Sequence, residues 1–356
     1  MTLDTLKTGA ASGAFAILDT FSIIDVNGLD AVNFLHNQLS NDIQHLDDAH
    51  MRRAGLCSPK GRLLASFLVW KTINAVQLMV SADVRTSVRQ HLAMFVLRSK
   101  VKLIDAHARL VCVGLAGDVC RCLAPLFPTL PDNADGKVEN EAGVLIRLTD
   151  SPETAAQRFF STSAPHQAAR ARILWVAPRS ALNAHLYALD TELTRIDPAA
   201  WDWLTLQTGE PWITAATQAQ FVPQMINFEL IGGVNFHKGC YPGQEIVART
   251  HYRGTLKRRM MLAHTADAQI QAGAFVFHSL DSGQPCGTVV NAAPAPGGGS
   301  DCLVELKLAA LNCGTIHFPA LDGPALSLRA LPYAVPEVKS FFPFSLLEKR
   351  NQKLTF

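Results

Sequence analysis

The chain has 356 residues, 48% hydrophobic and 17% charged, with a formal net charge of +2. That composition predicts a globular protein with length for two or three domains. It excludes the strong basic field of a protein that wraps nucleic acid, and no apolar run is long enough to span a membrane. Eight cysteines are irregularly spaced, with no Cys-x-x-Cys pair and no zinc-type Cys/His spacing, so no metal site is expected. Such cysteine usage fits a reducing compartment. The amino terminus shows no basic segment leading into an apolar run, so the expected location is the cytoplasm.

In chain order, residues 15–26 read as one or two strands, closed by an Asn27-Gly28 turn. Ala31, Phe34, Leu35 and Leu39 then recur at helical spacing. A turn at Pro59-Lys60-Gly61-Arg62 leads into an apolar strand, Leu63 to Trp70, which pairs with Val76 to Val80 as a hairpin. Val84, Val88, Leu92 and Phe95 mark one face of a helix over 84–97. Val101 to Ile104 and Arg109 to Leu115 return to strand. Strand pairs alternating with helices in this order predict an α+β, split-βαβ arrangement with ferredoxin-like parts. Residues 128–143, rich in Pro, Asp, Asn and Gly, read as a loop. A strand is expected near Ile173 to Val176. Asp197-Pro198 opens a helix with an Asp cap and Pro at its first position, and Gly209 stops it.

Phe221 to Ile246 is mixed loop and turn, dense in Gly, Pro, Asn and Gln. Loops this long in compact domains are often functional. Within it, Cys240 lies between Lys238 and a Pro242-Gly243 turn, which predicts a strand-to-turn corner. A thiol reacts as its thiolate, and positive charge from Lys238, Arg249 and Arg253 would favour that form. The other reading of Cys240 is a buried apolar cysteine. After Arg259 the pattern changes to short strands separated by turn residues, which predicts a small antiparallel β-barrel. The boundary falls near 255–259, giving an α+β portion over 15–256 in two subdomains, a barrel over 257–335 and a tail over 336–356. Lys257-Arg258-Arg259 is a short basic cluster at a strand entrance. No aromatic–basic platform is apparent, so direct nucleic-acid binding is not expected.

Several stretches together carry a resemblance. They are Phe34-Leu35-His36-Asn37-Gln38 with Asn41-Asp42, Cys57-Ser58-Pro59-Lys60-Gly61-Arg62, Phe221-Val222-Pro223-Gln224, Gly232-Gly233, and above all Lys238-Gly239-Cys240-Tyr241-Pro242-Gly243-Gln244-Glu245. The chain resembles the YgfZ-type folate-binding proteins, relatives of the glycine-cleavage aminomethyltransferase. The resemblance spans about residues 15 to 335 and implies an aminomethyltransferase-like folate-binding domain followed by a carboxy-terminal barrel, around a central funnel for tetrahydrofolate. It further implies a role in assembly or repair of iron–sulfur enzymes, including those that modify tRNA, as partners. Cys240 and Lys238 would be the reactive pair. Phe21, Trp201, Gln207, Gln224, Asn227 and Arg249 would contact the reduced folate.

Two departures stand out against that family. Transferases carry an acid on the strand after the Lys-Gly turn, where this chain has Ala65 and Ser66, neither of which can act as a general acid. Relatives often place a glutamate two residues before the glycine ending the Asp197 helix; here Gln207 stands there, with one acceptor oxygen in place of a carboxylate fork. A one-carbon transferase acting on an unidentified amine and a direct tRNA-binding protein are the alternative functions.

Overall fold

The computed structural model describes residues 13–160, 168, 170–252, 256–281 and 283–336. The expected tail therefore lies almost wholly outside the described residues. Three sheets make up the architecture. One is five-stranded, in the order Met51–Cys57, Leu63–Lys71, Val76–Ser81, Phe21–Asn27, Lys102–Asp105. With the helices Ala31–Gln38 and Arg85–Ala93 it forms a ferredoxin-like unit, widened by Met51–Cys57 at one edge. Its strands alternate around a dedicated apolar core that includes Ile24, Leu35, Phe67, Leu78 and Val88.

The second sheet runs Thr194–Arg195, Gly13–Ile17, Leu110–Gly117, Arg172–Pro178, Gly143–Arg147, Lys137–Asn140. Its first long strand precedes the ferredoxin-like unit in sequence, so the two units are interleaved. The third sheet is antiparallel and curls into a half-barrel, in the order Ile316–His317, Phe275–His278, Gly287–Pro294, Ser300–Lys307, Arg258–Thr265, Ser327–Arg329. The α+β class with its terminal antiparallel sheet is as the sequence predicts.

Several local features differ from the sequence reading. The helix expected over 84–97 ends at Ala93 and runs on as turns to Leu97, which takes a positive φ, and this leaves Phe95 exposed. The expected loop 128–143 contains the strand Lys137–Asn140, paired with Gly143–Arg147. Turn-forming residues in this stretch serve a hairpin: Gly143 takes a φ of 118°, which glycine alone adopts without strain. A helix, Arg179–Glu192, follows the Ile173 strand directly; its buried face is narrow, with Leu182 and Leu189, and gives little periodic signal.

The helix Pro198–Gln207 sits where the three sheets meet. Asp197 caps it, its carboxylate accepting from Ala199 N at 2.8 Å. Trp201 lies flat on the second sheet at Gly114, where any side chain would drive into the indole ring. Trp203 and Gln207 point the other way, to Asp301 on the third sheet. Asp301 is fully buried and accepts from Trp203 Nε1 at 2.8 Å, Gln207 Nε2 at 2.9 Å and Arg329 Nη1 at 2.9 Å. His264 Nδ1 lies 2.7 Å from its other oxygen, and Arg158 approaches at 3.4 Å. A buried carboxylate is stable only when paired and fully hydrogen-bonded, and these donors supply both. Asp301→Ala orphans several of them at once. It is expected to cost on the order of 3–5 kcal/mol, read as a lower midpoint in urea unfolding. A midpoint within error of the parent would remove Asp301 from this role.

Candidate functional site

The other face of the Pro198–Gln207 helix borders a cavity of about 330 Å³. Asp202, Thr205 and Leu206 line it at helical spacing. Thr20, Phe21 and Asp83 enter from the ferredoxin-like unit, Trp212 from the segment after the helix, and Asn291 from the third sheet. Phe21 and Trp212 meet edge to face, with ring centroids 4.5 Å apart. Asn291 clamps the backbone of Trp212, accepting from its N–H and donating to its carbonyl at 2.9 Å each. The result is an apolar, aromatic-walled hollow with a few polar groups, the usual form of a small-molecule site.

Its carboxylates differ in their partners. Glu210 accepts from Arg53 Nε at 2.7 Å, both side chains being buried, and Arg53 also reaches Asp135 at 2.8 Å. Asp83 accepts from Ser81 Oγ and from Ala215 N. Asp202 has no hydrogen bond or ion pair among the described residues. Burial lifts its carboxyl to about 7, Asp197 and Asp19 add repulsion, and Arg172 opposes them. Arg172 is itself buried, stacked on Trp201 at 4.9 Å and donating to Thr205 Oγ1 at 2.5 Å. Burial lowers its guanidinium to about 10.

Of the residues expected to contact folate, Phe21 lines this cavity. Trp201 and Gln207 do not; they face the second sheet and Asp301. Gln224 and Asn227 are buried behind the loop that carries Cys240, donating to Val247 O at 2.8 Å and Met260 O at 2.9 Å. Arg249 is exposed on the helix Gln244–Tyr252. The sequence reading missed Asp202, Glu210 and Trp212. A lone acid between two tryptophans in a helix of apolar residues was the available signal for Asp202.

The Cys240 loop forms a second centre. Cys240 precedes the Gln244–Tyr252 helix in irregular chain, so the expected strand-to-turn corner is a loop-to-helix corner. Gly243 is required there: its φ is 79°, and a side chain would strike the Ser58 carbonyl. Asn235 accepts from the backbone N–H of His237 and Lys238 at 2.8 and 3.1 Å, fixing the loop's entry. Lys238 Nζ donates to Leu39 O at 2.9 Å and to His36 O, at the carboxy-terminal end of the Ala31–Gln38 helix. A cation there is favoured by the unpaired carbonyls and the helix dipole. Burial lowers the Lys238 ammonium to about 8, while Asp42 and Cys240 pull it upward.

Cys240 is exposed, as are Cys120 and Cys313. Burial pushes Cys57, Cys112 and Cys302 up to about 12, and Cys122 to about 11. Among the described residues no group of three His, Cys, Asp or Glu side chains converges as a metal site, and no helix is long and apolar enough to cross a membrane.

The fold is of the aminomethyltransferase type. It resembles the crystal structure of glycine cleavage system aminomethyltransferase T from Bartonella henselae, with a TM-score of 0.72 and 18% identity over 93% of this chain and 89% of that one. No family model matches the chain. In sequence it is 29% identical over 324 residues to tRNA-modifying protein YgfZ from Klebsiella pneumoniae (strain 342), covering 90% of this chain and 93% of the relative. It is 31% identical over 260 residues to tRNA-modifying protein YgfZ from Pectobacterium carotovorum subsp. carotovorum (strain PC1), covering 72% of each. The chain belongs to the YgfZ family.

Two outcomes follow from this geometry. Because the folded state holds the Asp202 proton to a higher pH than the unfolded chain, stability falls as pH rises from about 4 to about 7 and levels off above. Asp202→Asn removes that loss. It should raise the melting temperature at pH 8 by on the order of a few degrees and leave it unchanged near pH 4. Equal shifts at both pH values would mean that Asp202 does not carry the proton. Separately, iodoacetamide mapping of the native protein should alkylate Cys240 first, and Cys57, Cys112 and Cys302 only on unfolding. Lys238→Met should slow Cys240 and leave Cys120 and Cys313 unaffected; equal slowing of all three contradicts the pairing.

Proposed function

We propose that this protein is a reduced-folate-binding accessory factor supporting iron–sulfur enzymes, including those that modify tRNA. Tetrahydrofolate would lie in the Phe21–Trp212 cavity. The observation that carries this reading is the carboxyl of Asp202, without a hydrogen bond or ion pair among the described residues, on a wall shared with two aromatic rings. The planar pyrimidine half of a reduced pterin presents a ring N–H beside an amino group, and an ionised carboxylate accepts both in a fork. Phe21 and Trp212 offer the apolar faces for such a ring, and the volume suits it. Asp202 thus takes the part that a glutamate at position 207 would play, since the Gln207 amide is committed to Asp301.

A bound tetrahydrofolate supplies a nitrogen able to carry a one-carbon unit. This chain's own residues bind and orient it. They provide no acid on the Leu63–Lys71 strand: Ala65 is buried, and the Ser66 hydroxyl accepts from Ile213 N at 3.0 Å. That counts against the one-carbon transferase alternative. Cys240, exposed and near the Lys238 charge, is the group we offer to an iron–sulfur client, and the tRNA side of the reading is supported by the tRNA-modifying proteins that this chain resembles.

Calorimetric titration with tetrahydrofolate and with folinic acid tests the folate reading. Saturable binding should strengthen from pH 6 to pH 8 as Asp202 ionises. Asp202→Asn should weaken it about tenfold, the scale of one charge-assisted hydrogen bond, and flatten the pH dependence. Gln207→Glu should destabilise the fold, by setting a second carboxylate against Asp301, and should not tighten binding. Absence of saturable heat at millimolar ligand would reject the reading.

A further inference from the structure

We propose that the surface beside Cys240 is a docking site for single-stranded RNA, built on a stack of aromatic rings with a basic rim. The inference goes beyond the folate reading and does not depend on it. Phe236, in the Cys240 loop, stacks on His251 of the Gln244–Tyr252 helix, with centroids 3.8 Å apart and planes within 18°. Tyr252 stands against both, 4.8 Å from His251 at 84° and 6.1 Å from Phe236 at 71°. Phe236 is packed on the core, which anchors the group, while His251 and Tyr252 are exposed, Tyr252 to 63%. Sixteen residues of chain are needed to bring these rings together, so no local run in the sequence announces them.

An exposed tyrosine alone is unremarkable in a surface. Three rings held in mutual contact, one of them anchored, are different: they present a prebuilt face at little entropic cost. Every nucleobase has a π face, and stacking on such rings is tolerant of sequence. The surrounding charge fits a phosphate backbone. Arg249 lies one helical turn before Tyr252, exposed and without an ion pair among the described residues, and Arg guanidinium both pairs with phosphate and stacks on rings. Lys60 is exposed on the turn that packs against the start of the same helix, where Gly61 meets Ile246. Lys238, its ammonium committed to the His36 and Leu39 carbonyls, adds positive charge behind this rim without being free to pair with phosphate. Glu245 is the acid on this helix, and Asp42 nearby is already bonded to His45. The balance is positive in a chain whose overall charge is near neutral. A duplex would hide its base faces, so the rings select unpaired nucleotides.

The test is fluorescence anisotropy of a short, unstructured, labelled RNA with the full-length protein across a salt series. Saturable binding at low salt is expected. Tyr252→Ala should weaken it about tenfold, as expected for loss of one stacked base, and Tyr252→Phe should restore it. Arg249→Ala should lower the slope of log affinity against log salt by about 0.7, the value for one phosphate on a single strand. Tyr187→Ala, an exposed tyrosine on another helix, should change nothing. Folate titration should be unaffected in the Tyr252 and Tyr187 variants, which separates this result from failure of the folate reading. No saturable binding overturns the proposal, as does binding indifferent to Tyr252→Ala. Equal or tighter binding of the matching single-stranded DNA overturns the assignment to RNA. A protein interface would show itself as lost tRNA modification in a Tyr252→Ala strain with RNA affinity unchanged, and that too overturns it.

Discussion

One buried carboxylate, Asp301, holds the arrangement together. It belongs to the third sheet, yet its donors come from elsewhere: Trp203 and Gln207 from the Pro198–Gln207 helix, Arg158 from a helix of the interleaved unit, and Arg329 from the last strand. Isolated in an apolar interior, such a charge would be untenable. Its solvation therefore requires that all these elements be docked at once. That requirement fixes the rotation of the Pro198–Gln207 helix about its own axis. With Trp203 and Gln207 turned to Asp301 and Trp201 turned to Gly114, the remaining face with Asp202, Thr205 and Leu206 has one direction left. It borders the cavity.

The same geometry explains what could be read from the chain alone. The helix itself was plain from Asp197-Pro198 and Gly209, because capping and termination are local. So were the strands of the ferredoxin-like unit, whose apolar runs are buried on both faces, and the switch to short strands after Arg259. Which face of the helix does what was not legible. Trp201, Trp203 and Gln207 all carry side chains suited to a ligand, and their allocation depends on Gly114 and Asp301, which are remote in sequence. Gln207 looked like a weakened ligand contact; in the fold its amide is a structural tie. Asp202 is not legible in the sequence because its lack of a hydrogen bond or ion pair among the described residues is a property of three-dimensional surroundings. The Lys137–Asn140 strand and the Arg179–Glu192 helix were missed for another reason. One is dense in turn residues, and the other has a buried stripe too narrow to show a period.

Cys240 was singled out from its neighbours in sequence, and its exposure agrees with a presented thiol over a buried apolar one. The role of Lys238 is fuller than a nearby charge. By closing the end of the Ala31–Gln38 helix it positions the loop, and its burial makes its own charge responsive near neutral pH. Structural and electrostatic functions therefore fall on one side chain. An uncharged replacement loses both, whereas arginine would keep the charge but must fit a planar group where an ammonium now sits between two carbonyls.

The cavity and the thiol loop are joined by a continuous set of contacts through the strand Met51–Cys57. On one side Arg53 grips Glu210 at the cavity. On the other, Gly55 N donates to Ser40 Oγ at 2.7 Å, and that hydroxyl donates to Gly233 O at 2.6 Å, at the root of the Cys240 loop. Asn41 ties the two together, its amide donating to both Arg53 O and Gly232 O at 2.7 Å. Every donor in this chain is buried or partly buried, so water cannot readily replace a lost partner. Gly55 is constrained by space: a side chain there would press into Leu63 and crowd Phe228. The strand thus acts as a rigid spacer, with one end shaping the hollow and the other seating the loop. Tight hydrogen bonding of this kind keeps two separate centres in fixed register without their touching. It also accounts for Ser40 and Asn41, whose side chains make these ties, and for Gly233, where a side chain would strike the Phe228 ring.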